Sequence, residues 1–179
     1  TIPYMETVKK IAESTELFTE IGGGIRNIET VEKYLNSGVD RVILGTAAVK
    51  DEVFLKEAIG KFGDKIAVGI DIKDGFVAIK GWTENSGIDP YVFTEKMQDL
   101  GVKYIICTDV SKDGAMKGTN LELYRELSQK FSINITASGG VSSIKDVEEL
   151  RKMDIYAAII GKAYYVGAID LKEAIEVAK

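Results

Sequence analysis

Apolar residues along this chain fall into two alternating rhythms, one helical and one continuous. Residues 4–15 carry Met5, Val8, Ile11 and Ala12 at helical spacing, and Pro3 just ahead suits a helix start. Leu17 to Ile21 reads as a short strand running into Gly22-Gly23-Gly24. Ile28, Val31, Tyr34 and Leu35 then share one face of a helix over 28–37, closed by Gly38. Arg41 to Leu44 is a strand, Gly45-Thr46 the turn after it, and Asp51 caps a helix running to about Ile59. Lys65 to Asp71 is the next strand. From the Asp74-Gly75 turn, Phe76 to Ile79 returns as a β-arm ending at Gly81-Trp82.

The second half keeps the alternation. Asp89-Pro90 opens a helix to Leu100, with proline at its first position. Lys103 to Cys107 is a strand, Asp109 to Gly118 a long loop, and Asn120 to Lys130 a helix. Ile133 to Ala137 is a strand into Ser138-Gly139-Gly140, and Ile144 to Met153 a helix. Ala157 to Ile160 is a strand, Gly161-Lys162 a turn, and Asp170 to Ala178 the final helix. Short, continuously apolar strands alternating with helices predict a parallel sheet buried on both faces. The fold class is therefore α/β, either doubly wound or a (β/α)8 barrel.

A repeat favours the barrel. Shifted by 116 positions, residues 22–47 align without a gap on 138–163. Gly23, Gly24, Ile28, Val31, Glu32, Ile43, Gly45 and Ala47 recur as Gly139, Gly140, Ile144, Val147, Glu148, Ile159, Gly161 and Ala163. The copies lie four strands apart, on opposite sides of the mouth of an eight-stranded ring. The chain supplies six strand–helix units, where a barrel has eight. The expectation is a single partial barrel domain over 1–179 whose missing units precede Thr1, two strand edges being left open to a second copy or a complementing N-terminal fragment.

Composition narrows the chemistry. With 45% apolar residues in 179, one core is the prior. The formal charge of −5 gives no general case for nucleic acid. No apolar run is long enough to span a membrane and no signal-peptide pattern opens the chain, so a cytoplasmic location is expected. The absence of histidine excludes His-based triads and His-based metal sites, and no metal is expected. Cys107, the single cysteine, lies in an apolar run and reads as a buried spectator.

In a barrel the chemistry gathers at the carboxyl ends of the strands. The polar residues read there are Glu20, Arg26, Thr46, Asp71, Lys73, Thr108, Asp109, Ser138 and Lys162. A partly desolvated carboxyl such as Asp71 can act as a general acid; it can equally cap a loop or pair with a lysine. Thr108, at the same place on the following strand, offers a hydrogen bond or ends a turn, and Asp113 reads first as a turn aspartate. Trp82 either stacks on a planar ligand or anchors the arm. Tyr164 and Tyr165 read as packing. The repeated glycines suggest two phosphate cups, Gly23-Gly24 with Gly45-Thr46 and Gly139-Gly140 with Gly161-Lys162, to which Arg26 and Lys162 add charge. Their alternative is duplication kept for fold geometry.

Five stretches resemble the ProFAR isomerase family of histidine biosynthesis. They are Gly22 to Arg26, Asp71 with Lys80-Gly81-Trp82, Thr108 to Gly114, Ala137 to Val141 and Ile160 to Ala163. The sister cyclase shares the glycine turns but lacks the Gly-Trp arm and has serine where Asp109 follows Thr108. The bifunctional isomerase that also serves tryptophan synthesis is similar too. The resemblance implies a (β/α)8 barrel and a cofactor-free Amadori rearrangement of a bis-phosphorylated substrate. It places the general acid on Asp71, a hydrogen-bonding threonine on Thr108, an auxiliary substrate-contacting aspartate on Asp113 and the stacking tryptophan on Trp82. The phosphate contacts fall on Gly23, Gly24, Arg26, Gly45, Thr46, Gly139, Gly140, Gly161 and Lys162. The family's general base, an aspartate on a first strand, has no counterpart here, so impaired activity of this chain alone is expected.

Overall fold

A computed structural model describes residues 4–179; the start at Pro3 lies outside them. Helix α1 (Met5–Ser14) is amphipathic, and its Met5 and Val8 pack against the core while none of its residues is buried. Strand β1 (Glu20–Gly22) follows, displaced toward the glycines from the expected span at 17–21. Asn27 caps helix α2 (Ile28–Asn36) by accepting the Thr30 N–H at 2.8 Å, and Val31 and Tyr34 are its buried face. Strand β2 (Arg41–Leu44) lies as expected. The Gly45-Thr46 turn opens directly into a short helix, α3 (Thr46–Lys50), before Asp51 caps α4 (Glu52–Phe62).

Strand β3 (Ile66–Lys73) is the longest, and β4 (Phe76–Ile79) returns antiparallel along its end, with β5 (Glu84–Asn85) beyond it. Helix α5 (Pro90–Asp99) starts at the Asp89-Pro90 signal, Asp89 accepting two amides. Strand β6 (Tyr104–Asp109), helix α6 (Leu121–Lys130), strand β7 (Asn134–Ser138) and helix α7 (Ile144–Lys152) follow. Strand β8 is only Ala157–Ala158, shorter than expected because pairing to β7 stops there. The second glycine turn also opens into a short helix, α8 (Lys162–Tyr165), and α9 (Leu171–Ala178) closes the described chain.

Six strands run parallel in the order β1-β2-β3-β6-β7-β8, with the arm attached to β3. The sheet is a curled, partial (β/α)8 barrel. Its alternation sorts the side chains. Val42, Leu44, Val68, Ile70, Ile105, Cys107, Ile135 and Ala137 face the helices and form the core. Ile43, Gly69, Asp71, Ile106, Thr108 and Ser138 face the hollow side. Full burial of one Leu or Ile contributes about 1.5–3 kcal/mol, so the helix-facing set holds the fold and leaves the other face free for chemistry. Among the described residues, no helix is long and apolar enough to cross a membrane.

Candidate active site

At the carboxyl ends of the central strands, three polar side chains stand in one row. Asp71 on β3 is in register with Thr108 on β6, and Thr108 with Ser138 on β7. Adjacent backbones in a sheet lie about 4.8 Å apart, so one small molecule can touch all three. Asp71 is half-buried, Thr108 and Ser138 buried. They floor a cleft of about 740 Å³ whose wall includes Gly22 to Arg26, Gly45 to Ala47, Lys80 and Gly81. Gly69, two residues below Asp71, leaves room in the floor.

A second hollow of about 180 Å³ adjoins it, sharing Ser138 and Ile159. Its wall is Gly139 to Val141 with Gly161 to Ala163, covered by Asp113, Gly114 and Met116 of the loop after β6. The structure thus brings each glycine pair to the turn one strand on, in both copies of the repeat. Lys162 donates from Nζ to the Gly114 carbonyl at 2.9 Å, tying the covering loop to the second turn. Thr46 accepts the Lys80 N–H at 2.9 Å, tying the β-arm to the first.

Several residues lie elsewhere than the sequence suggested. Glu20 is at the amino end of β1, not the carboxyl end, paired with Arg41 at 2.8 Å. That guanidinium also stacks on the Tyr104 ring, 3.6 Å from its centroid, so the pair belongs to the opposite rim. Asp109 turns away from the cleft, because successive strand residues face opposite sides. Trp82 sits half-buried in the turn after β4, its carbonyl accepting the Lys73 ammonium at 2.9 Å, and the cleft wall is made instead by its neighbours Lys80 and Gly81. Tyr164 and Tyr165 are not packed into the core: they are 50% and 85% exposed and lie edge-on to each other.

Cys107 precedes Thr108 on β6 and faces the core on the other side of the sheet. Burial pushes its thiol well above the ordinary range, with the carboxylates of Asp71 and Asp109 adding to the shift, so it is no nucleophile near neutral pH. Sequence reasoning missed Tyr124. Its buried hydroxyl contacts the Ser138 and Cys107 carbonyls at 2.7 and 3.0 Å and accepts the Ser138 N–H at 3.1 Å. It staples β6 to β7 just behind the polar row, and nothing in the helical pattern distinguishes it from ordinary core. Sequence reasoning also missed the anchoring of Asp109, although Asp-Val-Ser is a recognisable Asx-turn pattern.

Likenesses to known proteins bear on these same residues. The family model described as histidine biosynthesis protein matches residues 3–170. A 1-(5-phosphoribosyl)-5-((5-phosphoribosylamino)methylideneamino) imidazole-4-carboxamide isomerase of Clostridium acetobutylicum is 51% identical over 97% of this chain and 72% of its own length. The chain belongs to the ProFAR isomerase family. Isomerases of the same name from Brachyspira hyodysenteriae and Oceanobacillus iheyensis are 49% and 46% identical, over 97% and 94% of this chain and 73% and 70% of their own lengths. ProFAR isomerases are enzymes of histidine biosynthesis, and the residues that raised the resemblance all lie at or beside the two hollows, Trp82 by way of its neighbours.

Proposed function

We propose that this chain binds the bis-phosphorylated aminoaldose ProFAR across the two hollows and carries the acid half of its Amadori rearrangement to the ketose PRFAR. The observation that carries the reading is the row Asp71–Thr108–Ser138, placed with a glycine hollow at each end. The relatives' printed name contains two phosphoribosyl groups, which suits a ligand with a phosphate at each end. Bared amides at Gly23-Gly24 with Gly45-Thr46, and at Gly139-Gly140 with Gly161-Lys162, are the donors such phosphates need, and Arg26 and Lys162 add charge.

In this reading Asp71 protonates the ribose ring oxygen as the ring opens, and Thr108 orients that oxygen by a hydrogen bond. A base then removes the C2 proton to give the enolamine, which is reprotonated at C1 as the ketose. Asp113 contacts the substrate from the covering loop, and Trp82 stacks on it once the arm moves over the cleft. Among the described residues lining the hollows the carboxylates are Asp71 and Asp113. In this reading the base is an aspartate carried by a polypeptide seated against the edges at β1 and β8, where Leu17, Phe18, Tyr156 and Ile159 are exposed. Without it, turnover falls by about 10²–10⁴-fold. No cofactor takes part, and the setting is the cytoplasm.

Isomerisation of ProFAR by this chain, mixed with a peptide supplying two further strands and the aspartate base, tests the reading. Turnover should appear on mixing. Asp71→Asn should then lower it by about 10²–10⁴-fold while leaving ligand affinity within about twofold. No turnover in the mixture, or full turnover by the Asp71→Asn variant, sinks it. A second reading rests on the same exposed edges: the chain pairs with itself, binds phosphate and catalyses nothing. A discrete oligomer that no peptide activates would favour it.

A further inference from the structure

Asp109 is 8% exposed and carries a carboxylate that no cation contacts within hydrogen-bonding distance among the described residues. Such a group must be satisfied by donors. It is: one oxygen accepts the Ser111 N–H at 2.9 Å and the Ser111 hydroxyl at 2.6 Å, and the other accepts the Asn120 side-chain amide at 2.7 Å. Ser111 lies one residue into the loop after β6, and Asn120 follows its last residue, where its own oxygen caps α6 at Leu123 N–H, 3.2 Å. One carboxylate therefore pinches both ends of a loop.

That loop covers the second hollow. Its Gly118 N–H donates to Ser142 Oγ at 3.0 Å, and Thr119 Oγ1 donates to the Gly139 carbonyl at 2.8 Å. Its tip brings Asp113 and Gly114 over Gly139 and Gly140. We propose that Asp109 is a positioning residue: by clamping the two ends of the 110–119 loop it holds the wall of the second phosphate hollow closed, without touching the ligand. The inference rests on the two-hollow reading above and names the side chain on which one hollow depends.

The polarity of the clamp supplies the test. Asp109→Asn leaves one acceptor oxygen where the carboxylate had two, so the side chain can accept from Ser111 or from Asn120 but not from both, and the clamp is lost. Exchanging the two residues, Asp109→Asn with Asn120→Asp, restores it with donor and acceptor reversed and the net charge unchanged. Position 120 still caps α6 in that double variant, because a carboxylate accepts the Leu123 N–H as well as an amide oxygen does. Inorganic phosphate is titrated into the parent chain and the variants, following the backbone amides of both hollows by NMR.

Asp109→Asn is expected to weaken phosphate at Gly139, Gly140, Gly161 and Lys162 by about tenfold, the scale of one charged hydrogen bond, and to leave Gly23, Gly24, Gly45 and Thr46 unchanged. The exchange variant is expected to recover the parent affinity. Equal weakening in both hollows would mean general loosening and overturns the proposal, as does parent-like binding by Asp109→Asn or failure of the exchange to recover it. If the parent binds phosphate in neither hollow, the functional reading is what fails. Amide exchange at Gly114 and Gly118 then still decides the clamp: rates unchanged by Asp109→Asn overturn it, and faster rates reversed by the exchange uphold it.

Discussion

Gly23-Gly24 and Gly139-Gly140 follow nearly one backbone path, with φ of +114° and +66° in the first pair and +94° and +80° in the second. Their partner turns match as closely: Gly45 sits at φ −100°, ψ −104°, and Gly161 at φ −105°, ψ −100°. What presses on the two pairs differs. A Cβ on Gly23 or Gly24 would meet nothing within 4 Å. On Gly139 it would lie 2.5 Å from the Asp109 carbonyl oxygen, and on Gly140 2.6 Å from that of Gly118. In the first pair glycine serves conformation; in the second it also permits another backbone to approach. The backbone at the end of β6 and in the loop after it packs onto the second pair; among the described residues none comes as close to the first. Repetition keeps the path of the chain, and the neighbours decide whether the hollow is open or walled.

The sharpest way to break this comparison is alanine in each glycine pair. Gly139→Ala should cost about 3 kcal/mol or more, since the positive φ and a backbone overlap act together. Gly24→Ala should cost about 1 kcal/mol, the left-handed penalty alone. Urea unfolding midpoints measure both, and equal losses would show that the packing difference carries no energy. Tyr124 and Val8 come next, because they occupy matched positions 116 residues apart. Tyr124→Phe leaves the buried Ser138 N–H without its acceptor and should cost about 1–3 kcal/mol. Val8→Ala, on a half-buried helix face, should cost about 1 kcal/mol or less.

The helix caps give a smaller contrast. Ser143 and Asp146 form a reciprocal capping box at α7, whereas Asn27 caps α2 through one oxygen. Ser143→Ala should cost about 1–2 kcal/mol and Asn27→Ala about 1 kcal/mol, read from the same unfolding curves. Cys107 reports the smallest effect. Burial holds its thiol protonated through neutral pH, so iodoacetamide should label it only through opening. Labelling should quicken in Gly139→Ala and change little in Gly24→Ala; equal rates would mean that the second hollow does not brace the β6–β7 floor.

Much of this molecule was legible in one dimension. The order of the elements, the Asp51 and Asp89 starts, the arm after Asp74-Gly75 and the repeat all followed from local patterns, and so did the placing of Asp71 and Thr108 at neighbouring strand ends. These depend on hydrogen-bond partners a few residues away and on burial periods of 2 and 3.6, which the sequence carries directly. The face on which each side chain lands does not follow so simply. Thr108 and Asp109 are adjacent and both polar, yet one floors the cleft and the other accepts from Ser111 and Asn120 on the far side of the strand. Glu20 read as a mouth residue until strand pairing began at it and set it opposite Arg41. The two glycine turns read as plain turns, but each starts a short helix. Identity, alternation and the repeat were the sequence's own. Only the tertiary structure decided that one glycine pair is open and the other walled, because the deciding contacts join residues far apart in the chain: Gly139 with Asp109, and Lys162 with Gly114, 48 positions away.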